Sequence, residues 1–113
     1  MTDPLKMPCA NGEAPLGDGA LPGLLGQVPL WSVVDAGGVK RLQRTFGFGN
    51  FADALRFTVK VGEMAEAENH HPLLVTEWGK VTVTWWTHRI GGLHPNDFAM
   101  AARTDALFDA GNR

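Results

Sequence analysis

The chain has 113 residues, a hydrophobic fraction of 44%, a charged fraction of 19% and a formal net charge of -2. This length and composition are typical of a single globular domain with its own core. Because the charge is slightly negative and no basic block occurs, we expect neither nucleic acid nor an anionic membrane as a partner. No apolar stretch approaches the ~20 residues of a membrane span, and no secretory pattern begins the chain, so a cytoplasmic protein is predicted.

Residues 1–20 combine several proline and glycine residues with few large apolar side chains, and we expect them to form a flexible leader. The single cysteine, Cys9, lies in this leader and has no second cysteine for a disulfide or a zinc knuckle. We therefore interpret Cys9 as a free thiol and predict one folded domain over 21–113. This domain begins with a short helix over 21–27, whose first turn holds Pro22.

A β-hairpin is predicted after the first helix. The run from Trp31 to Asp35 indicates the first strand, and two glycines after Ala36 indicate a turn, since glycine accepts positive φ. The second strand is predicted over 40–48, where apolar residues alternate onto one face. These residues are Leu42, Phe46 and Phe48.

The clearest helix is predicted from Asn50 to about Glu68, with Asn50 as its N-cap and Asp53 three residues further on. Its polar residues trace a narrow stripe and the rest of its surface is apolar, so more than one neighbour must cover it. The sheet can cover one side. A second subunit is expected on the other side, and a short terminal helix is the alternative.

A second hairpin is predicted after this helix. Pro72 disfavours a helical conformation at the residue before it, so the helix must end there. The third strand is predicted over 73–78 and the fourth over 81–88, joined by a turn at Gly79. Side chains of the fourth strand alternate, which places Trp86 on the same face as His88 and makes it the tryptophan best suited to contact a ligand.

A last helix is predicted from Pro95 to about Asp109, with His94 as its cap. The resulting order is helix, strand, strand, helix, strand, strand, helix. Hairpins joined by a helix imply an α+β fold, with a four-stranded antiparallel sheet and three helices packed on one face.

Three of the four histidines lie within nineteen positions, from His70 to His88. Imidazole has an unperturbed pKa of about 6.5, which makes it a usable acid and a usable base near neutral pH. His70 and His71 precede the third strand and His88 ends the fourth, so closure of the hairpin should bring the three together. We interpret them as an acid–base pocket.

Other interpretations of these residues stay open. Three histidines can hold zinc, although adjacent histidines rarely converge on one ion and no Cys, Asp or Glu completes the set. One or two of the histidines can instead cap or pack as structural side chains. Asp97 either stabilises the start of the last helix or belongs to the pocket. With no phosphate loop and no nucleophile elbow, the chemistry favours elimination, hydration or isomerisation.

Five short motifs occur in order along the chain: Glu66-Ala-Glu-Asn-His70-His71-Pro72, Trp78-Gly-Lys80-Val, Thr87-His88, Gly92-Leu93 and Asn96-Asp97. Together they resemble the pterin-4a-carbinolamine dehydratase family, in particular the bacterial enzymes that accompany phenylalanine hydroxylase. The resemblance runs from about Trp31 to Asp105. It implies the α+β fold already predicted, with homodimers joined through sheet edges and often paired into homotetramers through helices.

The resemblance also implies a reaction and a set of residues. The reaction is loss of water from a 4a-hydroxytetrahydropterin to give the quinonoid dihydropterin, without metal or organic cofactor, which recycles the pterin of aromatic amino acid hydroxylases. His70 and His88 are implied as the acid–base pair, and His71 as a catalytic residue that binds the pterin. The implied substrate-binding residues are His70, His71, Pro72, Thr87, His88 and Asp97.

Three positions depart from the better-known animal members of that family. Asn69, Leu74 and Asn96 stand where an Asp, an aromatic residue and an Arg are common. Some relatives also act as dimerisation partners of regulators or in the assembly of other proteins, so a binding role without essential catalysis is the alternative function. A metal-dependent hydrolase is a third hypothesis. Because all three histidines are present, we favour the dehydratase.

Overall fold

The computed structural model describes residues 14–111, so Cys9 and residues 1–13 of the predicted leader lie outside the described part of the chain. The helices are α1 (Leu21–Leu25), α2 (Phe51–Glu68) and α3 (Pro95–Gly111), and the strands are β1 (Ser32–Ala36), β2 (Val39–Gly47), β3 (Leu73–Glu77) and β4 (Lys80–Trp85). Short 3-10 turns lie at Asp18–Ala20 and His88–Ile90. The predicted α+β class and element order are confirmed.

The four strands form one antiparallel sheet in the order β1-β2-β4-β3, so the two hairpins join through β2 and β4. Val81, Val83 and Trp85 of β4 are fully buried, as predicted for one face, and Thr82 and Thr84 bond Thr45 and Gln43 of β2, although Thr84 is buried as well. Helix α2 packs on β3 and β4, while α3 packs on β2 and β4. Of the described helices, none is long and apolar enough to cross a lipid bilayer.

The prediction that β4 continues to His88 is wrong, because the strand ends at Trp85. Thr87 pairs instead with Gly92 in an isolated bridge, where the Thr87 N–H donates to the Gly92 carbonyl at 2.8 Å. Between these two residues the chain forms the turn His88–Ile90, which ends at Gly91 with φ of 66°. This left-handed value favours glycine. His88 therefore lies in a turn beyond the sheet.

Both ends of α2 carry asparagines that fix where the helix begins and ends. The Asn50 side-chain oxygen accepts the Asp53 N–H at 2.7 Å, which confirms the predicted N-cap. Asn69 takes a left-handed conformation with φ of 52°, which asparagine tolerates better than most residues. The Asn69 N–H and the next N–H along the chain satisfy the last carbonyls of α2. The chain therefore leaves the helix directly before His70.

The apolar surface of α2 is only partly covered. One side, formed by Ala54, Phe57, Val61 and Ala65, is buried against the sheet and α3. Phe51, Leu55 and Val59 follow each other at four-residue spacing and remain 45–51% exposed. The terminal-helix alternative is not seen within residues 14–111, since no described helix buries these three side chains. We call this surface the α2 stripe.

A polar cluster ties α3 to the sheet. Asp105 Oδ1 accepts from the Arg44 guanidinium at 2.6 Å and from the Trp31 indole N–H at 2.8 Å. Arg44 is the residue that interrupts the apolar alternation of β2, and its guanidinium carbon lies 4.2 Å from the Phe46 ring centroid. Arg44, the charged residue between the apolar side chains of β2, is therefore the residue that connects β2 to α3.

Asp105→Ala should lower the free energy of unfolding by about 2 kcal/mol. The Arg44 and Asp105 side chains are 15% and 24% exposed, so the change leaves a largely buried cation and the indole N–H without their acceptor. Urea unfolding measures the loss. Asp109→Ala, at an exposed position on the same helix, is the matched control. Equal losses in the two variants would contradict this account of the cluster.

Candidate active site

The end of α2, the loop before β3 and the turn after β4 meet at the end of the sheet where β3 begins and β4 ends. A cavity of about 260 Å³ opens there, lined by Asn69, His70, His71, Trp86, Thr87, His88 and Arg89. The three histidines predicted as a pocket therefore do come together, even though His88 lies beyond the strand. Pro72 and Asp97, also predicted as site residues, are not part of this lining.

His70 is the least exposed of the three imidazoles, with 9% of its side chain accessible. Its Nε2 lies 2.7 Å from Oδ1 of Asp97, whose side chain is completely buried. Because a carboxylate oxygen accepts, the Nε2 of His70 carries a proton and donates it to this bond. In the neutral ring, Nδ1 is then the atom that can accept a proton from a ligand.

Asp97 is held by three donors. Besides His70 on Oδ1, the Thr87 hydroxyl donates to Oδ2 at 2.8 Å and the His94 backbone N–H donates to Oδ2 at 2.9 Å. Asp97 is the third residue of α3, and His94 Nδ1 accepts the Asn96 N–H at 3.0 Å. This reciprocal arrangement is a capping box, which confirms His94 as the cap.

Asp97 therefore has the structural role that the sequence offered, and it contacts the candidate site through His70 without lining the cavity. It stabilises the first turn of α3, where a negative charge is favourable, and it fixes the His70 ring. The same carboxylate joins the segment that follows β4, through Thr87, to the start of α3. The position of His70 is consequently coupled to the packing of α3 on the sheet.

His88 is an exposed ring held by two contacts. Its Nε2 donates to the backbone carbonyl of His71, with the two atoms 3.1 Å apart. Its imidazole stacks on the Trp86 indole, with ring centroids 4.3 Å apart and planes inclined by 28°. As in His70, the described hydrogen bond uses Nε2 and leaves Nδ1 for a ligand.

His71 is the least constrained of the three histidines. Its side chain is 54% exposed, and its Nε2 lies 2.8 Å from Oε2 of Glu66, which is 80% exposed. An ion pair with so much solvent contact contributes little to stability. His71 can therefore change its partner when a ligand enters the cavity without cost to the fold.

Three residues around the site were not predicted from the sequence. Glu66 contacts His71 across five positions, a spacing that no helical pattern indicates. Arg89 lines the cavity because the chain turns after Thr87 instead of continuing as a strand. Arg41, on β2, contacts Trp86, and only the register between β2 and β4 could have indicated this contact.

The described site has the chemistry of proton transfer. Two imidazoles, those of His70 and His88, line one cavity and have Nε2 fixed by an acceptor, which leaves Nδ1 as the second nitrogen of each ring. Such groups can give a proton to one atom of a ligand and take a proton from another. Within residues 14–111, no three His, Cys, Asp or Glu side chains are grouped to hold a metal ion.

Comparison with known proteins gives consistent matches over most of the chain. A family model described as pterin 4 alpha carbinolamine dehydratase matches residues 14–107. A curated Chlorobium luteolum protein whose name is that of a pterin-4-alpha-carbinolamine dehydratase is 57% identical over 100 residues, covering 88% of each chain. A Nitrosococcus oceani protein with the same name is 60% identical over 81 residues, covering 72% of each chain.

Two solved structures are similar to this fold. The crystal structure of a transcriptional coactivator/pterin dehydratase from Brucella melitensis has a TM-score of 0.73 and 27% identity, over 82% of this chain and 97% of that chain. A pterin dehydratase-like protein, described as a RuBisCO assembly factor in the alpha-carboxysome, has a TM-score of 0.58 and 24% identity. The second covers 69% of this chain and 88% of that chain, and its similarity concerns the fold alone.

Proposed function

The chain belongs to the pterin 4 alpha carbinolamine dehydratase family of hydro-lyases, and we propose that it removes water from a 4a-hydroxytetrahydropterin to give the quinonoid dihydropterin. One observation carries this proposal: three imidazoles meet at one cavity, and the most buried of them is backed by the carboxylate of Asp97. The product would return to the pterin cycle of an aromatic amino acid hydroxylase such as phenylalanine hydroxylase. We expect this to happen in the cytoplasm.

The reaction needs one proton donor and one proton acceptor. The bond between C4a and its hydroxyl oxygen breaks, and the oxygen takes up a proton and leaves as water. The N5–H bond also breaks, and its electron pair forms the C4a–N5 double bond. No redox change occurs, so we expect neither a metal nor an organic cofactor to be required.

His70 is proposed as the acceptor of the N5 proton. Its hydrogen bond to Asp97 fixes the tautomer in which Nδ1 is unprotonated. The carboxylate also stabilises the imidazolium that forms when Nδ1 takes the proton, as the aspartate of a Ser-His-Asp triad does. Thr87 supports this role indirectly, because its hydroxyl holds the other oxygen of Asp97.

His88 is proposed, as an imidazolium with a proton on each nitrogen, to donate the Nδ1 proton to the departing hydroxyl. Its exposed ring can regain a proton from solvent after each turnover, and its Nδ1 is available for the substrate. Positioned acid–base groups typically contribute factors of roughly 10² to 10⁴ in rate. His71 is proposed to bind the pterin, and Pro72 to shape the loop that carries both adjacent histidines.

The test is dehydration of 4a-hydroxytetrahydropterin, generated by a coupled hydroxylase, with and without a chelator. We expect the folded wild-type protein to accelerate the loss of water equally in both conditions. A folded protein that gives no acceleration would contradict the dehydratase proposal. Activity that disappears only with chelator would favour a metal-dependent site formed by the same histidines.

A binding role is the second candidate function, and the α2 stripe favours it. Three apolar side chains about half exposed on one helix need a partner. The similar Brucella melitensis protein is also described as a transcriptional coactivator. A chain that folds, does not accelerate dehydration and binds another protein through α2 would fit this role.

The α2 stripe is also the surface on which we propose self-association. Phe51, Leu55 and Val59 are buried if the helices of two copies pack together, which would supply the second neighbour that this helix lacks. Light scattering should then give two or four times the mass of one chain. Leu55→Asp should shift this mass towards that of the monomer, and an unchanged mass would contradict the use of this stripe.

A further inference from the structure

Arg41 and Trp86 contact each other on the sheet face opposite the helices. The register of β2 and β4 places Leu42 across from Trp85, and both side chains are buried beneath the helices. Arg41, next to Leu42 on β2, points to the other face because side chains alternate along strands, and Trp86, directly after β4, meets it there. There the Arg41 guanidinium carbon lies 3.9 Å from the centroid of the Trp86 ring. This distance is typical of a cation–π contact.

The contact continues from Trp86 to the active site. The same indole stacks on the His88 imidazole and is part of the cavity lining. Arg41 itself is not in that lining. Arg41, Trp86 and His88 therefore form one connected stack, which leads from a central strand of the sheet to a ring proposed to transfer a proton.

His88 depends on this stack for its orientation. It lies in a turn beyond the end of β4 and is exposed, so it lacks the close packing that fixes a buried ring. Its hydrogen bond to the His71 carbonyl holds one atom, Nε2, and still allows the ring to pivot about that atom. Stacking on Trp86 fixes the plane of the ring. Trp86 also lies beyond β4, where it packs against the hydrophobic core on one side and its ring meets the Arg41 guanidinium of β2.

We propose that Arg41 is a positioning residue for dehydration: through Trp86 it fixes the His88 ring plane with Nδ1 turned towards the cavity. The effect on turnover rests on the proposed function, whereas the effect on the His88 ring does not. Since the bond that His88 would protonate must lie within reach of Nδ1, a small rotation of the ring lowers the rate without removing the group.

Arg41→Ala should lower kcat about tenfold and change KM by less than about twofold, because Arg41 is outside the cavity. Arg41→Lys should fall between wild type and Arg41→Ala, because an ammonium keeps the charge and lacks the planar guanidinium. Arg56→Ala is the matched control. Arg56 is a 70% exposed arginine on α2, paired with Asp53, and its loss should leave kcat unchanged.

A double-mutant cycle separates positioning from other roles. If Arg41 acts through His88, Arg41→Ala should cause no further loss of kcat in a His88→Ala background. An equal loss in both backgrounds would overturn the proposal. Urea unfolding of each variant shows whether the measured activity comes from folded protein.

NMR of the His88 ring protons supplies a readout that does not require turnover. Stacking on indole should shift these protons upfield in the wild type, and Trp86→Leu gives the reference for an unstacked ring. Arg41→Ala should move the shifts towards that reference. Unchanged shifts would overturn the positioning role even if kcat fell. If the wild type does not dehydrate the pterin but Arg41→Ala still moves the His88 ring shifts as expected, the proposed function is contradicted. The effect of Arg41 on the His88 ring is then still supported.

Discussion

Asp97→Asn should lower kcat for dehydration by a factor of roughly 10³ to 10⁴ while the protein stays folded. The carboxylate has two donors on Oδ2, from Thr87 and the His94 backbone, and one donor on Oδ1, from His70. An asparagine has only one acceptor oxygen. That oxygen must serve the pair of donors, so the amide nitrogen is placed opposite His70.

An amide nitrogen donates, so Nε2 of His70 must become the acceptor. The ring then carries its proton on Nδ1, the atom that should take the N5 proton of the substrate. The variant therefore keeps the shape of the site and inverts the tautomer of the base. The loss of kcat comes from this inversion and not from unfolding.

Two measurements test this prediction. Single-turnover kinetics give the change in the chemical step, and ¹⁵N NMR of the His70 imidazole reports which nitrogen is protonated. Asp109→Asn, at an exposed position of α3, is the matched control and should leave both unchanged. A kcat within tenfold of wild type, or a His70 ring still protonated on Nε2, would show that Asp97 does not set the tautomer.

His88→Ala should lower kcat by a factor of roughly 10² to 10³ and leave the free energy of unfolding within about 0.5 kcal/mol of wild type. The ring is exposed and lies in a turn outside the helices and strands, so its removal creates no cavity in the core. Steady-state kinetics with urea unfolding of the same sample check both parts. A loss of stability that parallels the loss of activity would contradict a chemical role.

His94→Ala is the contrasting variant. His94 is 1% exposed, and its Nδ1 caps α3 through the Asn96 N–H. Its removal should cost about 1 to 2 kcal/mol of stability. The N–H that contacts Asp97 belongs to the backbone, so folded His94→Ala protein should keep most of its turnover. A large loss of turnover in the folded variant would mean that His94, and not His88, supplies the third histidine.

The helices and most strand boundaries could be predicted because their signals are local. Asn50 caps α2 through a neighbour three residues away, and Pro72 disfavours a helical conformation at the residue before it, so α2 had to end ahead of that point. The end of β4 could not be predicted. The sequence of Trp86, Thr87 and His88 continues the alternation of a strand. In the structure Thr87 pairs with Gly92, five residues further on, and the chain turns between them.

The histidine pocket could be predicted because hairpin closure fixes which strand ends meet. The contacts that orient the rings could not. The Arg41–Trp86 contact depends on the register of β2 against β4, which is set by the packing of buried residues such as Leu42 and not by the local sequence. The sequence left open whether Asp97 stabilises α3 or belongs to the pocket, and only the fold shows that one carboxylate caps α3 and also bonds His70.

The two roles of Asp97 affect how activity can be inferred in related sequences. A descendant that lost the dehydratase reaction and kept the fold would still need an acceptor oxygen at this place, which an aspartate supplies, because the start of α3 depends on it. Retention of the aspartate therefore says little about whether such a protein is an enzyme. The exposed imidazoles of His71 and His88 have little part in holding the fold together. Their replacement during divergence would be the first sign that the chemistry has been lost.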